Sequence, residues 1–232
     1  MSHWPASIFF DFDGVIVNSE PLHFASLRDV LADEKMAITQ EEYFDELIGF
    51  DDRGAISHVF AKHRRALDPA SLLRLMKSKS DAVRSMIRNR QYSALPGVDN
   101  FVRGLARHYP LAICSGALRE EIESMLDGIE LRACFPVIVA AEDVSVGKPD
   151  PQGYLLAADL VRKRTGLNFK TADCLIIEDA PSVIRSVKTA GFRTLGVAGS
   201  YPAGALGDAD FVVQSLHPAE VLKHLPSIKI HL

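Results

Sequence analysis

The run Ser7-Ile8-Phe9-Phe10 is short, apolar and rich in strand formers, and it stops abruptly at Asp11. A run of this kind fits a strand buried on both faces, as in a parallel sheet. Open sheets of that type bind ligands beyond the carboxyl ends of their strands, so Asp11 stands where chemistry is expected. Asp13 follows two residues later, and Gly14 lets the chain turn sharply. If the extended backbone persists, both carboxyls lean to one side, and like charges that close need a cation or a proton between them. One reading is a magnesium-assisted site in which one Asp attacks and the other moves protons. The other is an ordinary solvated turn, where Asp and Gly are common.

After Glu20 the pattern becomes helical for about seventy residues, longer than a crossover between neighbouring parallel strands needs. Pro21 opens a helix with Leu27, Val30 and Leu31 on one face. Thr39 and Glu42 have capping-box spacing, so a second helix is expected from there toward Gly49. Asp68 and Pro69 start a long helix that runs through Leu72, Leu75, Met76, Val83, Met86 and Ile87. Its bases Arg74, Lys77, Arg84 and Arg88 read as a solvated face. Leu95, Pro96 and Gly97 break the pattern. We therefore expect a helical cap over residues 20–95, inserted into a core made of residues 1–19 and 96–232.

In the remainder, apolar runs alternate with helical segments. Strands are expected at Leu111 to Cys114, Pro136 to Ala140, Cys174 to Ile177, Arg193 to Val197 and Phe211 to Val213. Helices are expected near Arg119 to Leu126, Pro151 to Arg164, Val183 to Ala190 and Pro218 to His224. The alternation predicts an α/β fold, a mostly parallel sheet with helices on both faces. The loop from Gly199 to Gly207 reads as structural.

Acids outnumber bases by 30 to 26, and a net charge of −4 offers no general attraction to nucleic acid or anionic membrane. No apolar stretch is long enough to span a bilayer, and the first residues lack the pattern of a secretory signal, so a cytoplasmic location is expected. Cys114, Cys134 and Cys174 are odd in number and widely spaced, which points to core use and away from a disulfide framework or a zinc site.

Each later strand ends on a residue that phosphoryl chemistry can use. Ser115 and Gly116 follow one strand, offering a hydroxyl and a permissive backbone to phosphate oxygens; taken alone they read as a turn. Cys114 should face away from Ser115 and is assigned to the core. Lys148 lies in the rigid turn Gly147 to Pro151 and brings the compact positive charge a phosphate site needs. Glu178 and Asp179 end another run, where adjacent acids suit magnesium, although Asp179 also fits a helix N-cap.

With DFDG, SG, GKP and ED at four strand ends in that order, the sequence resembles the haloacid dehalogenase superfamily over nearly its full length. It looks closest to the helical-cap branch of sugar-phosphate phosphatases and beta-phosphoglucomutases, which implies a Rossmann-like core and a mobile cap. The resemblance implies Mg2+ held by the Asp11 side chain, the Asp13 carbonyl and Asp179, with Glu178 directly or through water. Lys148, Ser115 and Gly116 would hold the phosphoryl group. Asp11 would be the nucleophile and Asp13 the general acid and base of an aspartyl-phosphate mechanism. Asn18 stands where many relatives have Asp. His23, Arg53 and Lys79 match cap residues that relatives direct at substrate; each also reads as an ordinary helix-start histidine or solvated base.

By the same resemblance, the DxD pair implies phosphate esters over carbon–halogen bonds. The leading expectation is a magnesium-dependent phosphatase acting on a small phosphorylated metabolite such as a sugar phosphate. A phosphosugar mutase needs the same intermediate and stays open, as does a phosphometabolite-binding regulator without turnover.

Overall fold

In the computed structural model, which describes residues 4–47, 50 and 52–231, the run that ends at Asp11 forms β1 (Ser7–Phe10), buried along its whole length. A tight turn leads to β2 (Val17–Asn18). Helices α1 (Glu20–Asp33), α2 (Gln40–Glu42), α3 (Asp52–Lys62) and α4 (Pro69–Arg88) follow. Then β3 (Ser93–Ala94) pairs antiparallel with β2, placing Val17 opposite Ala94 and Asn18 opposite Ser93. Strands and helices alternate from there: α5 (Val98–Ala106), β4 (Leu111–Cys114), α6 (Arg119–Gly128), β5 (Val137–Val139), α7 (Gln152–Thr165) and β6 (Cys174–Glu178). Last come α8 (Pro181–Thr189), β7 (Arg193–Val197), β8 (Phe211–Val213) and α9 (Pro218–His224). The chain divides into two compact units, one of Met1–Asn18 with Ser93–Leu232 and the other of Ser19–Tyr92.

The first unit is built on a six-stranded sheet in the order β5-β4-β1-β6-β7-β8. Every pairing in it is parallel. β1 lies between β4 and β6, with Phe10 opposite Ile113 on one side and Ile177 on the other. Chain order runs outward in opposite directions from β1, so the crevice beyond its carboxyl end is a topological switch point. Alternation along β1 sends its aromatic rings to opposite faces. Phe9 joins the core under α7 and α8, with Tyr154, Ala157, Val161, Val183 and Val187. The Phe10 ring meets Phe101 of α5 and Phe135 edge-on, with ring centroids 6.2 and 5.5 Å away.

The second unit is the helical insertion, with its own core of Leu27, Leu31, Met36, Ile56, Phe60 and Leu75. Helix starts follow their capping chemistry. Asp68 accepts hydrogen bonds from the Ala70 and Ser71 amides at the head of α4. Thr39 and Glu42 close the reciprocal capping box, with bonds of 2.9 and 3.1 Å. The helix expected from Thr39 departs from plan after Glu42, continuing as a π turn over Tyr43–Leu47. The wider turn keeps both Tyr43 and Leu47 buried, and the Tyr43 hydroxyl donates to Glu20 at 2.7 Å. Gly49 lies outside the described residues. Among the described residues no helix is long and apolar enough to cross a membrane.

Phe10→Ala should lower stability by about 3–5 kcal/mol, because it empties a site enclosed by two aromatic rings. Urea unfolding checks this. A midpoint close to that of the wild type would show that the face under Phe10 collapses around the smaller residue.

Candidate active site

The tips of β1, β4 and β6 lie side by side, and their register sets the site. The Asp11 amide continues the ladder by donating to the Ile177 carbonyl at 2.9 Å, and the Ser115 amide donates to Val139 at 3.0 Å. Asp11 therefore emerges beside Glu178, and Ser115 beside the tip of β5. The turn after β1 closes with the Ile16 and Val17 amides on the Phe12 carbonyl, while Phe12 itself is buried. Gly14 has φ +78°, a conformation costly for residues with a Cβ. A Cβ there would also lie 2.2 Å from Asp179 Oδ2. Gly14 is required twice over, once for the turn and once to admit Asp179.

Lys148 joins two of the acids. Its ammonium donates to Asp11 Oδ1 at 2.5 Å and to Glu178 Oε1 at 2.6 Å. The Tyr154 hydroxyl lies 3.3 Å from the same ammonium and donates to Glu178 Oε1 at 3.2 Å. The loop carrying Lys148 is tied down by Gln152, whose carbonyl oxygen accepts from the Ser145 and Val146 amides. Glu178 Oε2 accepts from the Asp179 and Ala180 amides at 2.9 and 2.8 Å. The lone-pair sites of Glu178 are thus all engaged by protein donors, making it an anchor for Lys148 and for the head of α8.

Ser115 bridges β4 to the second acid of β1. Its hydroxyl lies 3.3 Å from Asp13 Oδ2 and accepts the Ala117 amide at 3.0 Å. Gly116 is exposed, has no positive φ, and leaves open space where a side chain would be, so no steric demand calls for glycine there. Cys114 lies in the core cluster with Val139 and Tyr154, and burial pushes its thiol up to about 12. It stays protonated and is no nucleophile. A cavity of about 260 Å³ adjoins Ser115, Gly116 and Lys148.

One oxygen from each of Asp11, Glu178 and Asp179 lies within 4.8 Å of the others, all three residues buried. Three carboxyls share one ammonium, so they cannot all ionise without another cation. Burial pushes Asp11 well above the ordinary carboxyl range; Lys148 opposes the rise, while Glu178, Asp179 and Asp13 add to it. Asp179 is raised to about 7 by burial and by Glu178, against the lowering effect of a hydrogen bond from Ser200. For Lys148 burial acts downward, but Asp11 and Glu178 outweigh it and hold the ammonium above its usual value. Burial and Glu178 keep Tyr154 a neutral phenol. A compact set of hard oxygen donors with excess negative charge fits a small divalent cation.

The other three residues singled out from the sequence belong to the helical unit. Lys79, which reads from the sequence either as a substrate contact or as a solvated base, is 4% exposed, so it is not a solvated base. The reason is its place on the buried stripe of α4, with Leu72, Leu75, Val83 and Ile87. Its ammonium pairs with Asp52 and lies 3.2 Å from His23 Nδ1. Arg53 is exposed on α3 and stands outside this group. Tyr154 and Ser200 were not singled out from the sequence. Tyr154 stands six residues after Lys148, in the first turn of α7; Ser200 lies in the loop after β7 that reads as structural.

Residues 8–197 match the model of the haloacid dehalogenase-like hydrolases. The chain belongs to that family. The hydrolase is 30% identical over 192 residues to the fructose-1-phosphate phosphatase of Escherichia coli, covering 83% of this chain and 96% of that protein. It is 28% identical over 221 residues to the chloroplastic 5-amino-6-(5-phospho-D-ribitylamino)uracil phosphatase of Arabidopsis thaliana, covering 94% of this chain and 56% of the plant protein. The chain thus spans little more than half the length of that relative. The fold is shared with CbbY from Rhodobacter sphaeroides, solved in complex with phosphate, at a TM-score of 0.75 and 22% identity, covering 91% of this chain and 95% of that one.

The raised carboxyls carry a pH signature. At pH values between the ordinary Asp value of 3.8 and about 7, folded Asp179 retains a proton that the unfolded chain has released. The folded state then binds more protons, so the stability of the metal-free protein falls as pH rises through that window. Urea unfolding across the window should show this fall, and Asp179→Asn should flatten it. Equal slopes for the two proteins would contradict the raised carboxyl.

Proposed function

We propose that the protein is a magnesium-dependent phosphatase that hydrolyses a small phosphorylated metabolite, a sugar or sugar-alcohol phosphate, through an aspartyl-phosphate. The observation that carries this reading is the Lys148 ammonium bound between Asp11 and Glu178 at 2.5 and 2.6 Å, inside a cluster that still holds surplus acid. An attacking carboxylate and a phosphate dianion repel each other by about 4 kcal/mol per unit-charge pair near 4 Å at an effective dielectric of 20. Fixed cations are needed to offset that repulsion.

The side chains of Asp11 and Asp179 and the carbonyl of Asp13 would hold Mg2+ in the acidic wall that Glu178 completes, and the bound ion would supply positive charge against the transferring phosphoryl group. Asp11 attacks phosphorus through a carboxylate oxygen, and the bond to the leaving oxygen breaks. Asp13, oriented by Ser115, protonates that oxygen. It then takes a proton from the water that cleaves the acyl phosphate and restores Asp11. Lys148 and Ser115 bear on the phosphoryl oxygens, with the Gly116 backbone beside them. The helical unit acts as a cap that admits small substrates, and His23, Lys79 and Arg53 are its candidate substrate contacts. Two relatives support the substrate class, since their names specify fructose 1-phosphate and a phosphoribityl compound.

Phosphate release from a panel of sugar phosphates and other small esters, with and without Mg2+, tests the proposal. Release should require the metal and should fall by about three orders of magnitude or more in Asp11→Asn, as when a nucleophile is removed elsewhere. Turnover by Asp11→Asn at a rate near that of the wild type would rule out the covalent route. Isomerised sugar phosphate in place of free phosphate would move the assignment to a mutase.

A further inference from the structure

A fifth strand end reaches the acidic cluster. Beyond β7 the Ala198 amide donates to the Val213 carbonyl at 2.8 Å, and the chain then bends, with the Gly199 amide on the Tyr201 carbonyl at 3.2 Å. Ser200 lies on this bend and is exposed, yet its hydroxyl donates to Oδ2 of Asp179, itself only 5% exposed. The turn after β1 closes on the same oxygen. A Cβ on Gly14 would lie 2.2 Å from Asp179 Oδ2 and 2.7 Å from Ser200 Oγ, and one on Gly199 would lie 3.9 Å from the Gly14 carbonyl. Asp179 Oδ2 is therefore confined between the bare α-carbon of Gly14 and the Ser200 hydroxyl. Fixing one oxygen of a carboxylate fixes the plane of the group, and with it the direction of the second oxygen.

We propose that Ser200 is a positioning residue for the metal site, holding Asp179 in the orientation in which it takes the cation. The inference rests on the metal-dependent reading above. A hydroxyl that donates to a coordinating carboxylate acts from the outer shell of such a site, where loss of the partner typically weakens metal affinity by about 10–100-fold. The loop bearing Ser200 is exposed and its side chain is small, so the hydroxyl can be removed with little loss of packing.

The test is metal binding, not turnover. Metal-free protein is titrated with Mn2+, with the free ion followed by its paramagnetic resonance signal and Mg2+ added as competitor. Ser200→Ala should bind Mn2+ about tenfold more weakly or worse, while its melting temperature without metal stays at the wild-type value. Ser200→Thr, which restores a hydroxyl, should recover most of the affinity. Unchanged affinity in Ser200→Ala, with binding abolished in Asp179→Asn, overturns the role of Ser200 and leaves the metal site standing. Equal losses in the Ala and Thr variants assign the effect to loop geometry and also overturn it. Absence of Mn2+ binding by the wild type removes the metal site and the inference together.

Discussion

Three buried carboxyls and one ammonium meet beyond the carboxyl ends of β1 and β6, and their charge does not balance. The rest of the core unit holds that imbalance in place. Glu178 is satisfied by backbone amides on one oxygen and by Lys148 and Tyr154 on the other, so its position is overdetermined. Asp11 and Asp179 have fewer partners, and burial pushes both carboxyls upward. A buried cluster in this state favours either protons or an added cation, and the choice between them depends on pH and metal.

The sheet order makes the meeting possible. Acids on neighbouring parallel strands come together only if their strands end at the same level, and the ladder on both sides of β1 enforces that. Phe10 is level with Ile113 and Ile177, so the next residues along, Asp11, Cys114 and Glu178, share one layer. Because the chain winds away from β1 in both directions, no crossover connection covers the tips. A slip of one residue in β1 would turn Phe9 and Phe10 to the wrong faces and carry Asp11 out of the layer. Packing of the two aromatic rings and placement of Asp11 are thus one constraint.

The α/β class and most element positions were legible because parallel strands are short apolar runs and the helices between them carry capping residues. Leu111 to Cys114 and Arg193 to Val197 appear in the structure as read. The two-residue strands β2 and β3 were not legible, since pairs such as Val17-Asn18 and Ser93-Ala94 are too short to show alternation. Lys79 shows a different failure. The apolar stripe of α4 passes from Leu75 to Val83, and Lys79 fills the intervening position on it. Charge type argued for solvent and periodicity for burial, and periodicity prevailed because Asp52 and His23 satisfy the ammonium. Ser200 was hidden for another reason. A serine in a loop rich in Gly, Ala and Pro carries no local sign that the fold brings it to an acid 21 residues away.

The resting contacts of Lys148 also bear on how the proposed reaction begins. An ammonium has three protons to donate, and the partners within reach are Asp11, Glu178 and the Tyr154 hydroxyl. An incoming phosphate can take a proton contact only from one of them. Glu178 is the hardest to displace, because releasing Lys148 would leave a fully buried carboxylate without its counter-charge. Asp11 is the productive one: in the proposed reaction, moving the ammonium from Asp11 Oδ1 to a phosphoryl oxygen would offset one of the substrate's negative charges and free a lone pair on Asp11 in the same exchange. Under the proposed mechanism Lys148 would guard Asp11 until an anion arrives to replace it, so that binding of the phosphate and release of Asp11 for attack would be a single event.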